Sequence, residues 1–124
     1  MIDFQNKKYL KLSPLNNSEG EAKVGYILAD GEGVVATFRS MRDMVIFTNK
    51  RVISVNVQGI TGKKVDYTSL PYARVQAFSV ETAGTFDLDS ELELWFSGMG
   101  RVKFEFRGNV DIKGICKMIS NYIL

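Results

Sequence analysis

The sequence has no histidine, one cysteine and two prolines among its 124 residues. The lack of histidine excludes His-based acid–base catalysis, Ser-His-Asp and Cys-His nucleophiles, and His-containing metal sites. A single cysteine cannot close a disulfide within the chain, so nothing here requires an oxidising compartment. We therefore expect a protein that is not an enzyme, with no catalytic residues, no cofactor and no bound metal.

Long apolar runs are also missing. No stretch approaches the roughly 20 apolar residues of a membrane-spanning helix. The N-terminal segment Met1–Lys8 is interrupted by charges and is not a signal peptide. A chain of this length with 45% apolar residues suits one folded domain. The sequence thus predicts a soluble, cytoplasmic, single-domain protein.

Charge is segregated along the chain, although the net charge is only +2. Residues 33–76 carry seven basic groups against two acids, whereas residues 77–95 carry five acids and no base. The flanking ranges are closer to neutral, with −1 for residues 1–32 and +3 for residues 96–124. Two interpretations stay open: opposite blocks on different copies attract each other, or the blocks are ordinary solvated surface.

Two regions of the chain differ in pattern. Residues 1–32 have no clear period and predict an N-terminal arm or loop region. Within it, Ser13–Gly20 has the composition of a loop, and residues 21–29 are compatible with a helical turn or a strand. Residues 33–124 predict the folded domain, because short β runs alternate there with turn residues. The predicted strands cover 33–39, 43–48, 51–57, 63–68, 72–80, 91–97 and 101–107.

A helix is predicted after the last strand, because apolar residues recur there at helical spacing. The stripe consists of Ile112, Ile115, Cys116, Ile119, Tyr122 and Ile123. Either Asn109 or Asp111 can cap its start. A helix of about 13 residues is marginal alone, so the stripe must pack on the sheet. The fold class expected is mainly β with one C-terminal α-helix.

The first well-defined hairpin turns at Asn49-Lys50, where Asn49 tolerates a positive φ. A two-residue turn pairs Thr48 with Arg51 and places Ile46 opposite Ile53. Phe47 and Val52 then face each other on the opposite side, so both faces of this part of the sheet are apolar.

The second of these faces needs a cover. If the preceding strand directs Phe38 to the same face as Ile46, then Val35 of that strand lies on the opposite face. There it joins the apolar residues of the hairpin in one group. This group consists of Val35, Val45, Phe47 and Val52. We expect the N-terminal arm or another subunit to cover it.

A second hairpin turns at Ser97–Arg101, with Gly100 at a left-handed position. We predict that it pairs Phe96 with Val102 and places Trp95 on the polar face beside Lys103. An exposed tryptophan beside a lysine is either a cation–π surface pair or an anchor of an interface.

Several runs of residues resemble the bacterial pleckstrin-homology (PH) domain family. They are Met44–Ile53 (MVIFTNKRVI), Gln58–Val65 (QGITGKKV), Leu70-Pro71-Tyr72 and, longest, Phe78–Leu92 (FSVETAGTFDLDSEL). The resemblance covers about residues 33–124. It implies a partly open barrel of about seven antiparallel strands plugged by the helix. It also implies ring-like homo-oligomers, commonly pentameric, while the family is largely uncharacterised and supplies no catalytic residues.

The function predicted on these grounds is a non-catalytic PH-like module that self-assembles and mediates protein–protein contacts with an unknown partner. The loop after residue 80 enters this prediction because loops held by a rigid sheet often carry function. The candidate contact residues are Val35, Val45, Phe47, Val52, Glu81, Thr82, Gly84 and Trp95.

The alternative prediction is a weak anionic-lipid, membrane-surface or anionic-ligand binding module. Its candidate residues are Arg39, Arg42, Lys50 and Arg51. Membrane contact is expected to be weak at most, since two exposed bases in the short turn at residues 39–43 contribute about 1 kcal/mol each. We expect no nucleic-acid binding, because the neighbouring acidic block would repel phosphate.

Two motif-like runs fail their tests. Gly59–Lys64 lacks the first glycine of a phosphate loop, because position 57 is valine, and Lys64 replaces the Ser/Thr that holds magnesium. Asp87–Glu91 resembles the start of a calcium loop, but the sixth position is Leu92 and the twelfth is Gly98.

Overall fold

The computed structural model describes Met1, Phe4 and residues 11–124. The strands are β1 (Lys11–Leu15), β2 (Val34–Ser40), β3 (Asp43–Thr48), β4 (Arg51–Gln58), β5 (Lys64–Pro71), β6 (Val75–Glu81), β7 (Ser90–Phe96) and β8 (Gly100–Phe106). The helices are α1 (Asn17–Val24) and α2 (Ile112–Ile123), with 3₁₀ turns at Gly25–Ile27 and Tyr72–Arg74.

All eight strands form one curled sheet in the order β5-β4-β3-β2-β1-β8-β7-β6. The sheet is an open half-barrel, and α2 packs against it. β1 lies at its centre, antiparallel to β2 and parallel to β8, with Lys11 opposite Glu105. β1 therefore joins the β2–β5 half of the sheet to the β6–β8 half.

The N-terminal region differs from the prediction. Ser13–Gly20 is not a loop: its first residues belong to β1 and the rest to α1. Asn16 caps α1, and its side chain accepts a hydrogen bond from the Ser18 N–H. Asn, Ser and Gly mark turns and helix starts alike, so composition alone could not separate the two.

The β3–β4 register is confirmed. Ile46 lies opposite Ile53 and Phe47 opposite Val52, as the two-residue turn predicted. On one side of this hairpin, Ile46, Ile53 and Val55 are fully buried against Val24 of α1. The N-terminal region therefore covers this side of the sheet.

The predicted face of β2 is wrong. Phe38 lies opposite Val45 and Ala36 opposite Phe47, so both face the main core. An irregularity between Val34 and Ala36 leaves Val35 outside this alternation, with 43% of its surface exposed. A β-bulge changes the face of the residues before it, which simple alternation does not anticipate.

The β7–β8 register is also shifted from the prediction by two residues. Phe96 pairs with Gly100, and Leu94 pairs with Val102. A shift of two residues keeps each side chain on its face, so the apolar face remains correct although its partners change.

The main core lies between the two halves of the sheet and α2. Its centre is an aromatic cluster in which Phe38 contacts Phe106, with ring centroids 4.7 Å apart, and Phe47 contacts Phe104 at 5.8 Å. The predicted helical stripe closes this core, with Ile112, Ile115 and Ile119 buried. Asp111, one of the two candidate caps, accepts a hydrogen bond from the Gly114 N–H at 3.0 Å.

Candidate interaction surfaces

Three of the predicted contact residues lie inside the molecule. Val45, Phe47 and Val52 have no exposed surface in the single chain, because the β6–β8 half of the sheet and α2 enclose them. The apolar face that seemed to require a partner is thus covered by the chain itself. Val35 is separated from these residues by the bulge in β2 and lies at the surface.

The four candidate anion-binding residues are not brought together. Arg39 and Arg42 flank the β2–β3 turn, whereas Lys50 and Arg51 lie at the β3–β4 turn. The length of β3 separates these ends by roughly 20 Å. A single anion therefore cannot contact all four side chains.

Arg51 is engaged in a structural ion pair. Its Nε and Nη2 atoms donate to the two carboxylate oxygens of Glu32 at 2.9 and 3.0 Å. Its Nη2 also donates to the Ile27 carbonyl at 2.9 Å, and its Nη1 donates to the Ser69 hydroxyl at 2.8 Å. This geometry removes Arg51 from the candidate anion site, because its donors are already used to hold the N-terminal region on β4 and β5.

The Glu32 carboxylate is almost completely enclosed, with 1% of its side chain exposed. Burial by itself would raise its pKa, but hydrogen bonds from Arg51, Thr48 and the Ala29 N–H outweigh this effect and lower the pKa. The Thr48 hydroxyl donates to Glu32 at 2.6 Å. Glu32 therefore remains ionised as the centre of this network.

Tyr72 extends the same network into the core. Its hydroxyl donates to the Thr48 carbonyl at 2.8 Å, and its ring is fully buried. Burial, and the negative charge of Glu32, raise its pKa well above the ordinary value. The tyrosine stays a neutral hydrogen-bond donor that fixes the β3–β4 turn.

A different group of basic residues gathers at the opposite end of β3. The β2–β3 and β4–β5 turns are neighbours there, because β2, β3, β4 and β5 are consecutive antiparallel strands. Each turn carries an exposed apolar side chain, Met41 at 85% and Ile60 at 103%. We call this group the basic hairpin end. It consists of Arg39, Met41, Arg42, Ile60, Lys63 and Lys64.

Lys63 and Lys64 were missed in the sequence prediction. The sequence contains a signal for them: a two-residue turn between Ser40 and Asp43 pairs Phe38 with Val45, just as the turn at Asn49-Lys50 pairs Ile46 with Ile53. Together the two registers place the end of β4 beside the start of β3, so the β2–β3 and β4–β5 turns lie side by side.

An acidic loop connects β6 and β7 over residues 82–89. Phe86 is fully exposed and Leu88 is 62% exposed, next to Asp87 and Asp89. The predicted contact residues Glu81, Thr82 and Gly84 lie exposed at the start of this loop. Gly84 N–H donates to the Asp87 carbonyl at 2.7 Å, which folds the loop back on itself.

A cavity of about 290 Å³ lies beneath the acidic loop. Its apolar walls are Ala83 and Leu88 from the loop, and Val110 and Ile112 from the connection into α2. Ser90 also lines it, with 2% of its surface exposed. Among the described residues, its hydroxyl has no hydrogen-bond partner. We call this space the Ser90 cavity.

Trp95 lies on the outer face of β7, 41% exposed. Its predicted neighbour was Lys103, but the shifted register places Arg101 opposite it, with the guanidinium 5.7 Å from the ring centroid. Lys103 instead pairs with Glu91 at 3.2 Å. Trp95 thus forms a cation–π pair while keeping a large exposed surface.

The two ends of the sheet carry opposite charge. Within the described part of the chain, β5 pairs only with β4, and β6 only with β7. Lys63 and Lys64 lie at the start of β5, whereas Glu81 and the acidic loop lie at the end of β6, and Arg74 lies between the two strands. Edge strands of this kind present unpaired backbone groups to a possible neighbour.

The open half-barrel and the runs quoted above match a known family. A model of the bacterial PH domain family matches residues 3–123. The chain belongs to the bacterial PH domain family. The match includes most of the N-terminal region that the sequence resemblance had left out, which agrees with the position of β1 in the sheet.

This bacterial PH domain has relatives of almost equal length. It is 44% identical over 110 residues to the uncharacterized protein YjqA of Bacillus subtilis, covering 87% of this chain and 88% of that protein. A solved DUF1696-family protein with a pleckstrin-homology domain, from Shewanella loihica, has a TM-score of 0.75 and 45% identity over 92% of this chain and 98% of that one.

A second solved PH domain, from Shewanella amazonensis, has a TM-score of 0.62 and 42% identity. The alignment covers 89% of this chain and 90% of that one. In the bacterial PH domain described here, no helix among the described residues has the length and apolarity needed to cross a membrane. The same residues bring together no group of three or more side chains suited to hold a metal ion.

Proposed function

We propose that this bacterial PH domain is a non-catalytic cytoplasmic module that self-assembles into a ring-like homo-oligomer, such as a pentamer, and mediates protein–protein contacts. The observation that carries the proposal is the pair of sheet ends with opposite charge, at β5 and β6. Two different surfaces that attract each other make a head-to-tail contact, and such contacts generate rings when the rotation closes.

Several features support an interface over an isolated monomer. Trp95 and Phe86 are large aromatic side chains with 41% and 100% of their surface exposed. Aromatic side chains are enriched at the energetic centres of interfaces. The previously considered apolar face of β3 and β4 no longer contributes to the argument, since one chain already buries it.

Light scattering after gel filtration tests the proposal. We expect a mass that is a multiple of the 13.9 kDa chain and that does not change over a range of protein concentrations. Raising the ionic strength to about 0.5 M should weaken the assembly, because exposed charges are then screened within a few ångströms. A 13.9 kDa species at every concentration and low salt would refute self-assembly.

A pair of variants tests the β6 edge. Ala77 and Ser79 are exposed on β6, and lysine at both positions should hinder pairing with another strand. Val35→Lys is the matched control, because Val35 is also exposed but lies on β2, which is paired on both sides. Dissociation by Val35→Lys alone would place the interface over β2 instead.

A second candidate function is weak binding to an anionic membrane surface through the basic hairpin end. Two exposed apolar tips among four bases favour it, because such a surface can insert Met41 and Ile60 while the bases meet lipid phosphates. This grouping replaces the original one, in which Lys50 and Arg51 took part.

Sedimentation with vesicles of phosphatidylcholine and phosphatidylserine tests this candidate. Binding should be present at low salt, lost at high salt and reduced by changing Arg39, Arg42, Lys63 and Lys64 to glutamine. The control changes Lys113 and Lys117 of α2 to glutamine, which removes bases elsewhere. If both variants pellet equally, or if the parent protein does not pellet at low salt, the basic hairpin end is not a membrane site.

A further inference from the structure

We propose that the β4–β5 hairpin tip of one copy inserts Ile60 into the Ser90 cavity of a second copy. This inference rests on the proposed self-assembly and names the contact that produces it. It is carried by three features of the chain: an apolar tip, an apolar receptacle, and opposite charges around the two.

The tip is exposed to an unusual degree for a folded chain. Ile60 is completely accessible at the end of the hairpin, between Gly59 and Thr61. Gly59 and Gly62 have positive φ values of 73° and 68°, so the turn has a specified backbone shape. Burying this side chain in an apolar site would remove its unfavourable contact with water.

The receptacle has the size and lining that such a side chain requires. The Ser90 cavity has a volume of about 290 Å³, and Ala83, Leu88, Val110 and Ile112 supply apolar walls. The Ser90 hydroxyl is buried and lacks a partner among the described residues. That hydroxyl has almost no accessible surface, so the contact depends on the apolar walls of the cavity.

The charges around the tip and the cavity are complementary. Lys63 and Lys64 are exposed beside Ile60, whereas the residues around the cavity include more acids than bases: Glu81, Asp87, Asp89 and Asp111 against Arg107 and Lys113. A second copy is thus favoured over an acidic partner, because the acidic loop would repel it. A second copy is also favoured over a neutral ligand, which would form no ion pair with either charged group. Since tip and cavity are different surfaces, the contact is head-to-tail and can continue from copy to copy.

The experiment uses two cysteine variants of the full chain in a Cys116→Ser background. One carries Ile60→Cys and the other Ala83→Cys, and they are mixed under mild oxidation. We expect a disulfide-linked heterodimer in the mixture. Its yield should be at least about tenfold above the yield of disulfide-linked homodimer from either variant alone. A mixture of Met41→Cys with Ala83→Cys is the matched control, because Met41 is an exposed apolar side chain in the neighbouring turn.

A charge variant gives an independent measurement. Ile60→Asp should raise the concentration at which the assembly half-dissociates by about tenfold or more. Met41→Asp should leave that concentration unchanged. Both side chains are exposed, so the circular dichroism spectrum of each variant should equal that of the parent, which excludes unfolding as the cause.

The outcomes separate this inference from the proposed function. A monomeric parent protein overturns both. A parent that assembles, together with an Ile60→Asp variant that assembles equally well and cysteines that do not cross-link, overturns the tip-in-cavity contact and leaves self-assembly standing. An equal loss of assembly in Met41→Asp and Ile60→Asp also overturns it, because the contact would then lack specificity for Ile60.

Discussion

Arg51 joins the N-terminal region to strands β4 and β5. In the sequence it belongs to a basic block and resembles a candidate anion ligand. In the fold its guanidinium is shared among Glu32, Ser69 and the Ile27 carbonyl, at distances of 2.8–3.0 Å. Glu32 lies 19 residues away in the sequence, within a region that showed no pattern, so no local signal identified the partner.

Replacing Glu32 by glutamine should destabilise the protein by about 3 kcal/mol, because it leaves Arg51 without its enclosed carboxylate. Urea denaturation at pH 7 measures the loss. Glu21→Gln, at an exposed position of α1, is the control and should change stability by less than about 0.5 kcal/mol. Equal effects of the two substitutions would show that the Glu32–Arg51 pair does not hold the N-terminal region.

The same residue predicts a dependence on pH. The pKa of Glu32 is lowered in the fold, so its contribution is fully present above the ordinary value of 4.5 and is lost as the pH falls through the lower folded value. Stability should therefore decrease on acidification below about pH 4.5. Glu32→Gln should show a shallower decrease than the parent, and parallel curves would contradict the assignment.

The position of α1 depends on a close approach of its backbone to β2, and not only on a pattern of apolar residues. Gly20 of α1 is buried against β2, and a Cβ atom there would overlap the hydroxyl of Thr37. The helix has too few apolar residues to predict its position from periodicity. Its close contact depends on the absence of one side chain.

Gly20→Ala should therefore lower stability by about 1–3 kcal/mol, despite the better helix propensity of alanine. Gly25→Ala is the matched control, since Gly25 has a helical φ of −52° and nothing within 4 Å of an added Cβ. That control should be neutral or slightly stabilising. Thermal unfolding compares the two, and a neutral Gly20→Ala would show that α1 can move away from β2 at little cost.

At the scale of the whole molecule, β1 decides the architecture. It lies between β2 and β8, and no other strand connects the halves of the described sheet. Leu12 of β1 is fully buried in the main core. Residues 33–124, predicted from the sequence as the domain, thus lack the strand that completes it.

A truncated chain of residues 33–124 should fail to unfold cooperatively, as measured by circular dichroism with urea. Within the full chain, Leu12→Ala should cost about 3 kcal/mol, whereas Lys11→Ala at the neighbouring exposed position should cost little. A truncated chain with the parent's spectrum and a cooperative transition would contradict the need for β1.

The sequence alone determined the features that depend on short separations. The helical stripe of α2 and the β3–β4 register follow from periodicity and turn geometry within some ten residues, and the PH-like class follows from the resemblance of the quoted runs to the bacterial PH domain family. Tertiary structure alone decided which residues meet across the fold. The parallel pairing of Lys11 with Glu105 placed β1 in the sheet, the bulge at Val35 set the face of β2, and the adjacency of two turns created the basic hairpin end. The missing histidines limited the chemistry, but the surfaces that remain came from contacts between distant segments, which no local pattern encodes.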